Sequence, residues 1–222
     1  MNAGLITREI DTKLGPMLAG ACARGVCLLE FGAPQRRERA LRELELLLEP
    51  EDTTGGKPES HLAQLERELG AYFAGELPDF SVPVHAPGTA FQRRVWARMR
   101  RIPCGRTLSY GRLAERIGSP GAARAVGAAS GRNRIAILIP CHRVVESTGA
   151  LRGYGGGLKT KQWLLEHERA MTGQGVLFVS PSSPNRLSGT VPCTSTGSAP
   201  DARRVSTIAR MSSGKGAVKT IG

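Results

Sequence analysis

The sequence predicts an α+β protein: a small N-terminal antiparallel sheet carrying helices, followed by a mostly helical part. Three features predict it. Short apolar runs divided by turn residues open the chain, leucines at helical spacing follow, and capped helical patterns lie beyond a proline-rich break.

The apolar runs are Leu5 to Ile10, Met17 to Cys22 and Val26 to Phe31, separated by Gly15-Pro16 and Arg24-Gly25, and they read as a meander. Between Arg36 and Leu48, Leu41, Leu44 and Leu48 stand at i, i+3 and i+7, the stripe of an amphipathic helix. A Gly/Pro-bearing loop is expected at Thr53 to Pro58. Ser60 is the expected cap of a second helix, with Leu62, Leu65 and Leu69 on one face and Tyr72 and Phe73 beyond.

Pro78, Pro83 and Pro87 interrupt residues 77–88, which show little periodicity, so a domain boundary is placed there. Residues 1–80 are then an N-terminal α/β domain and residues 86–170 a second domain. Thr89 is expected to cap a helix with Phe91, Val95 and Met99 at i, i+4 and i+8, ending before Pro103. Ser109 caps the next, with Tyr110, Leu113, Ala114 and Ile117 on one face and Gly118 as its stop. Ser119 and Pro120 signal a third helix that runs through Ala122, Ala123, Val126 and Ala129 to Gly131. Two short helices joined by a glycine-bearing turn read as a helix-turn-helix. Ile135 to Ile139 is a brief apolar run stopped by Pro140. A glycine-rich loop, Gly149 to Gly157, precedes a last helix from Lys159 to about Ala170. The Ser-, Thr-, Gly- and Pro-rich tail, residues 171–222, is expected to be disordered.

With 222 residues, 40% of them apolar, the chain can build one sizeable core or two small ones. No apolar run reaches the roughly 18 residues of a membrane span, so no membrane partner is expected. The first ten residues mix Arg8 and Glu9 with single apolar residues and lack the apolar stretch of a secretory signal, which points to the cytoplasm. Cys22, Cys27, Cys104, Cys141 and Cys193 are odd in number and irregular in spacing, as in a reducing compartment. No Cys-x-x-Cys pair occurs, and Cys22 and Cys27 lack a nearby second pair or His doublet, which disfavours zinc. Neither a metal nor a cofactor is expected.

The net charge of +12 is uneven. Residues 1–80 carry nine Lys/Arg against fourteen Asp/Glu, residues 81–170 sixteen against four, and residues 171–222 six against one. A basic segment behind an acidic one suits contact with a polyanion, nucleic acid being the commonest. The plainer alternative is an arginine-rich composition without a partner.

Ile139-Pro140-Cys141-His142-Arg143-Val144-Val145 carries the strongest chemical signal, a proline-braced cysteine beside a histidine that supply a nucleophile and a candidate base. A buried, inert cysteine after a strand is the alternative. Glu168 stands i+4 from Leu164 and i+3 from Leu165, on the inward stripe of the last helix, where an unpaired carboxylate is costly. The alternative is a surface ion pair.

Together with Ser109-Tyr110, Ala123-Arg124-Ala125-Val126-Gly127, Asn133 and Gly153-Tyr154-x-x-Gly157, this heptad resembles the O6-alkylguanine-DNA alkyltransferases, also called methylated-DNA-protein-cysteine methyltransferases. The resemblance covers Phe91 to Glu168 closely and the N-terminal part loosely. It implies a ribonuclease H-like N-terminal half and a winged helix-turn-helix-like C-terminal half. It also implies a monomer that repairs double-stranded DNA by moving an alkyl group from O6-alkylguanine, with O4-alkylthymine a second candidate, to Cys141. The thioether formed is stable, so each molecule acts once.

By the same resemblance Cys141 is a thiolate relayed through His142 to Glu168, and Tyr110 donates a proton to the departing guanine. Tyr110 is otherwise an apolar contact of its helix. Arg124 is implied as the finger that fills the space of the flipped base, on a helix that enters the minor groove, with Ala123, Ser130 and Asn133 at the DNA. The small residues of that helix equally suit tight packing. Asn133 hinges the helix-turn-helix to the site and, with Gly153 and Tyr154, shapes the substrate pocket; its alternative is an ordinary turn residue. Arg143 is counted with the DNA-binding set, although the resemblance makes it either structural or DNA-proximal. Cys104 stands where the family usually has tyrosine. A related non-enzymatic family, which recognises alkylated DNA as helix-turn-helix proteins, carries Trp in place of Cys141. That activity and a turnover cysteine hydrolase are the alternative functions.

Overall fold

The computed structural model describes residues 4–173; the tail beyond Gly173, for which disorder is expected, lies outside the described residues. Strands β1 (Ile6–Ile10), β2 (Met17–Cys22) and β3 (Gly25–Glu30) form an antiparallel meander in the order β1-β2-β3. Both faces are covered, so β2 and β3 are apolar almost throughout rather than alternating. Met17, Ala19 and Ala21 face helix α3 (Pro58–Ala74) with Leu62, Leu65 and Leu69, whereas Cys22 and Leu28 face helix α1 (Pro34–Glu45) with Ala40 and Leu44. A register shift at Gly20/Ala21 explains why Val26 and Leu29, three residues apart, share the α3 side.

Helix starts differ from expectation in two places for backbone reasons. Helix α3 begins at Pro58, which is preset for a first turn, and Ser60 already lies inside it, its hydroxyl donating back to the Lys57 carbonyl at 2.8 Å. The expected loop before it spans Thr54 to Lys57, and a one-turn helix, α2 (Pro50–Thr53), closed by a Glu49/Asp52 capping box, leads into it. The third helix of the C-terminal part begins at Ala123, not after Ser119, because Gly121 sits at φ +83°, in the left-handed region where a right-handed helix cannot run. Helix α1 starts two residues before Arg36 and ends at Glu45.

Helix α4 (Ala90–Met99) opens on a Thr89/Gln92 capping box, and strand β4 (Leu108–Ser109) leads into α5 (Tyr110–Arg116), whose first turn is capped by the Ser109 hydroxyl. Gly118 ends α5 at φ +71°, and α6 (Ala123–Gly131) packs against both α4 and α5. A single 3₁₀ turn (Cys141–Arg143), strand β5 (Val144–Val145) and helix α7 (Leu158–Met171) complete the described chain.

Two pairings fix the surroundings of Cys141. Strand β4 runs parallel to β5, with Ser109 opposite Val145, which sets Tyr110 beside the residues just past the cysteine. Leu29 of β3 exchanges backbone hydrogen bonds of 2.8 Å with Arg134 and Ala136, so the sheet holds the segment that leads to Cys141. That segment turns tightly and places Ile137 at φ +68°, a conformation a β-branched residue rarely adopts.

One apolar cluster takes in Leu62, Leu69 and Tyr72 from the first part and Val95, Leu113, Val126 and Leu164 from the second, so the core runs across the expected boundary. No helix among the described residues is long and apolar enough to cross a membrane.

Candidate active site

Pro140 ends the tight segment, and Cys141 opens the 3₁₀ turn beneath a cavity of about 870 Å³. Asn133, just past α6, fixes the turn with its whole amide: Oδ1 accepts from Ile135 N at 3.0 Å, while Nδ2 donates to Ile139 O at 2.9 Å and to Cys141 Sγ at 3.2 Å. Burial pushes the Cys141 thiol pKa up; the Asn133 hydrogen bond and the Lys161 charge pull it down.

Behind the cysteine, His142 is fully buried, with Nε2 2.7 Å from Glu168 Oε1. Burial lowers the imidazole pKa, so the ring is neutral, and its Nε2–H donates to the carboxylate. Nδ1 is then an acceptor, buried and without a partner among the described residues. Glu168 is crowded with donors. Oε1 also accepts from Tyr72 OH and Arg143 Nη2, both at 2.9 Å, and Oε2 from Arg143 Nε at 2.9 Å and Gly105 N at 3.2 Å. Burial alone would raise the carboxyl pKa, yet the bonds from His142 and Arg143 carry it down to about 2.

Arg143, counted with the DNA-binding residues, is instead buried on this inner side. The 3₁₀ turn directs it inward, the Glu168 carboxylate takes its guanidinium fork, and Nη1 donates to Ile102 O.

In front of the cysteine, Tyr110, Ala123, Arg124, Ser130 and Gly153 line the cavity. Tyr110 is half-buried; burial and the Cys141 sulfur raise its hydroxyl pKa, which keeps it protonated. Arg124 is exposed, on the first turn of α6, and makes no salt bridge among the described residues. Tyr154 turns its ring edge-on to His142 at 6.3 Å between centroids, and its hydroxyl is buried without a partner among the described residues. Cys104 is buried, and burial raises its pKa to about 11, which leaves it an unreactive thiol.

Four polar residues join this centre without having been expected there. Lys161 is fully buried and donates to Val144 O at 2.7 Å and Arg152 O at 2.9 Å, tying β5 to the glycine loop. The stripe that singles out Glu168 also contains Lys161, three residues before Leu164, so a signal for it exists. Tyr72, Glu30 and Arg36 come from the N-terminal part, and no local spacing marks them. Among the described residues, no group of three or more His, Cys, Asp or Glu could hold a metal ion.

A family model for the 6-O-methylguanine DNA methyltransferase DNA-binding domain matches residues 90–170. The chain is 53% identical over 165 residues to a methylated-DNA--protein-cysteine methyltransferase of Shigella flexneri, covering 74% of this chain and 95% of that protein. It is 46% identical to the Mycobacterium bovis protein of the same name, covering 73% and 92%. Among solved structures it resembles the Mycobacterium tuberculosis O6-methylguanine methyltransferase, at 42% identity and a TM-score of 0.60 over 75% of this chain and 94% of that one. A second structure of the enzyme from that organism, in complex with DNA, matches at 40% identity and a TM-score of 0.61, covering 74% and 93%. An α+β chain with a basic C-terminal part, a cysteine at the floor of a cavity and these relatives belongs to the methylated-DNA--protein-cysteine methyltransferase family, enzymes that repair DNA by transferring alkyl groups to a cysteine.

Proposed function

We propose that Cys141 is the acceptor thiol, and that the lesion is O6-alkylguanine in double-stranded DNA, flipped into the cavity above it. The observation that carries this assignment is the asymmetry at the sulfur: an open cavity in front, and behind it a neutral His142 whose unpartnered Nδ1 is backed by ionised Glu168. The thiol proton is relayed by solvent to Nδ1, which makes no direct hydrogen bond to the sulfur, and the Glu168 carboxylate stabilises the imidazolium that results. The sulfur then attacks the alkyl carbon; the S–C bond forms, the C–O6 bond breaks, and its electron pair goes to guanine. Tyr110 donates a proton to the leaving base. Among the described residues nothing at the site is poised to cleave the thioether, so each molecule acts once.

Arg124 is the residue assigned to the gap left by the flipped base, and its exposed position at the cavity mouth supports that role. Ala123 and Ser130 on α6, with Asn133 just beyond it, form the adjoining DNA-facing wall. Gly153 and Tyr154 line the alkyl pocket. In finer terms the fold is a ribonuclease H-like half, residues 1–80, and a winged helix-turn-helix-like half, residues 86–170. A monomer in the cytoplasm suits an enzyme whose site is completed within one chain.

Intact-protein mass spectrometry after mixing with a duplex that carries O6-methylguanine tests the assignment. One added methyl mass, mapped to the peptide of Cys141 and lost in Cys141→Ala, is the expected result. No added mass would favour a protein that binds the lesion without chemistry, label on another cysteine would move the site, and product in excess of protein would make it a hydrolase.

A further inference from the structure

We infer that Arg36, held over the glycine loop by buried Glu30, determines which alkyl groups the pocket accepts; the inference rests on the assignment of Cys141 as acceptor. Glu30 is the last residue of β3 and only 3% exposed, yet it faces the same cavity as Cys141. Its carboxylate takes Arg36 Nε at 3.1 Å and Nη2 at 3.2 Å, and accepts from Phe31 N at 3.2 Å. A bidentate fork fixes the direction of a guanidinium as well as its position.

The guanidinium lies against the backbone of Gly155. A Cβ built on Gly155 would collide with Nη2 of Arg36 and stand 2.8 Å from its Cζ, so the guanidinium, where Glu30 holds it, lies in close contact with this backbone. The next residue is pressed in the same way, since a Cβ on Gly156 would meet the Phe31 ring at 3.1 Å. Phe31 also packs on Tyr154, with ring centroids 6.2 Å apart. Residues 154–156 are therefore backed by one short stretch of the N-terminal part, and the loop is tied down again at Arg152 by Lys161.

Glu30 is buried but the Arg36 side chain is 40% exposed, so the pair is a poor source of net stability: desolvation of the carboxylate and solvent screening at the guanidinium offset most of the attraction. Its geometric effect is larger: it fixes where the outer wall of the pocket stands relative to the sulfur. With the fork intact the loop is held inward, toward small alkyl groups. With the fork broken the wall recedes, and a bulky group gains relative to methyl.

Second-order rate constants for one duplex carrying O6-methylguanine or O6-benzylguanine at the same site test this inference. They are measured on the wild type, on Arg36→Lys, which keeps the charge facing Glu30 but loses the fork, and on Glu30→Gln/Arg36→Gln, which leaves neither charge unpaired. The benzyl-to-methyl ratio is expected to rise by about tenfold in both variants, the range that modest changes in pocket fit produce. An unchanged ratio in variants that melt cooperatively overturns the inference, as does an equal loss of both rates, which would mark the pair as structural only. Mass mapping in the same samples keeps the two claims apart: absence of alkyl mass on Cys141 in the wild type defeats the site assignment, whatever the ratio does.

Discussion

The two sides of Cys141 are built on opposite terms. On the inner side Glu168 accepts hydrogen bonds from His142, Tyr72, Arg143 and Gly105, and the protein alone satisfies it. On the outer side Arg124 is exposed and the Tyr154 hydroxyl has no partner among the described residues. On the proposed assignment, the proton-handling groups are thus set before any ligand arrives, whereas the groups assigned to the base are left open for it. Preorganisation of this kind places the cost of ordering charges in folding rather than in the reaction.

The largest effect is expected on the inner side, where this contrast can be dismantled directly. Glu168→Gln leaves the Arg143 guanidinium buried without its counter-charge, at a cost of about 3–5 kcal/mol, or roughly 10 °C in Tm by calorimetry. The pH dependence carries the same signature. The folded pKa of Glu168, about 2, lies below the ordinary 4.5 that it regains on unfolding, so its contribution is complete above 4.5 and is lost as pH falls toward 2. That contribution is roughly 3 kcal/mol in the wild type and is absent from the variant. If the two proteins lose stability in parallel over this window, the inner side is not held by charge.

On the outer side the expected effect is smaller and confined to the reaction. Arg124→Ala should leave Tm unchanged and slow transfer from duplex DNA by about tenfold or more, because the vacated stack is no longer filled. Transfer from free O6-benzylguanine should be unaffected, and an equal loss with both substrates would remove Arg124 from base extrusion. The smallest effect belongs to Tyr72→Phe, which takes one of several donors from Glu168. A loss of about 1 kcal/mol in urea unfolding is expected, and a much larger loss would mean that this carboxylate depends on a single bond.

Much of the fold is legible in the sequence because local rules decide it. The three strands stand within a residue or two of the apolar runs, and Thr89 and Ser109 cap the helices that they are expected to cap. Ser60 and Ser119 mislead because capping residues are informative only where the backbone permits a helix to start, and Pro58 and Gly121 decide that instead. The site divides along the same line. Cys141 and His142 stand in a short motif, and Glu168 shares an apolar stripe with Leu164 and Leu165, so sequence spacing can reach all three. Tyr72 reaches Glu168 across 96 residues, and Glu30 and Arg36 reach the glycine loop from another part of the chain, where only the tertiary fold brings them close. Arg143 carries a charge in a basic segment, yet its direction is set by a 3₁₀ turn that composition does not encode.

Asn133 gives the molecule a mechanical link that its polar contacts alone would not suggest. One amide side chain, at the end of the helix that carries Arg124, grips two points of the chain before Cys141 and the sulfur itself. If the duplex binds against that helix as proposed, a displacement of the helix would reach the nucleophile through Asn133, lengthening or shortening a neutral hydrogen bond that favours its anion. On that reading, contact with the duplex and the acidity of the sulfur are two ends of one short lever.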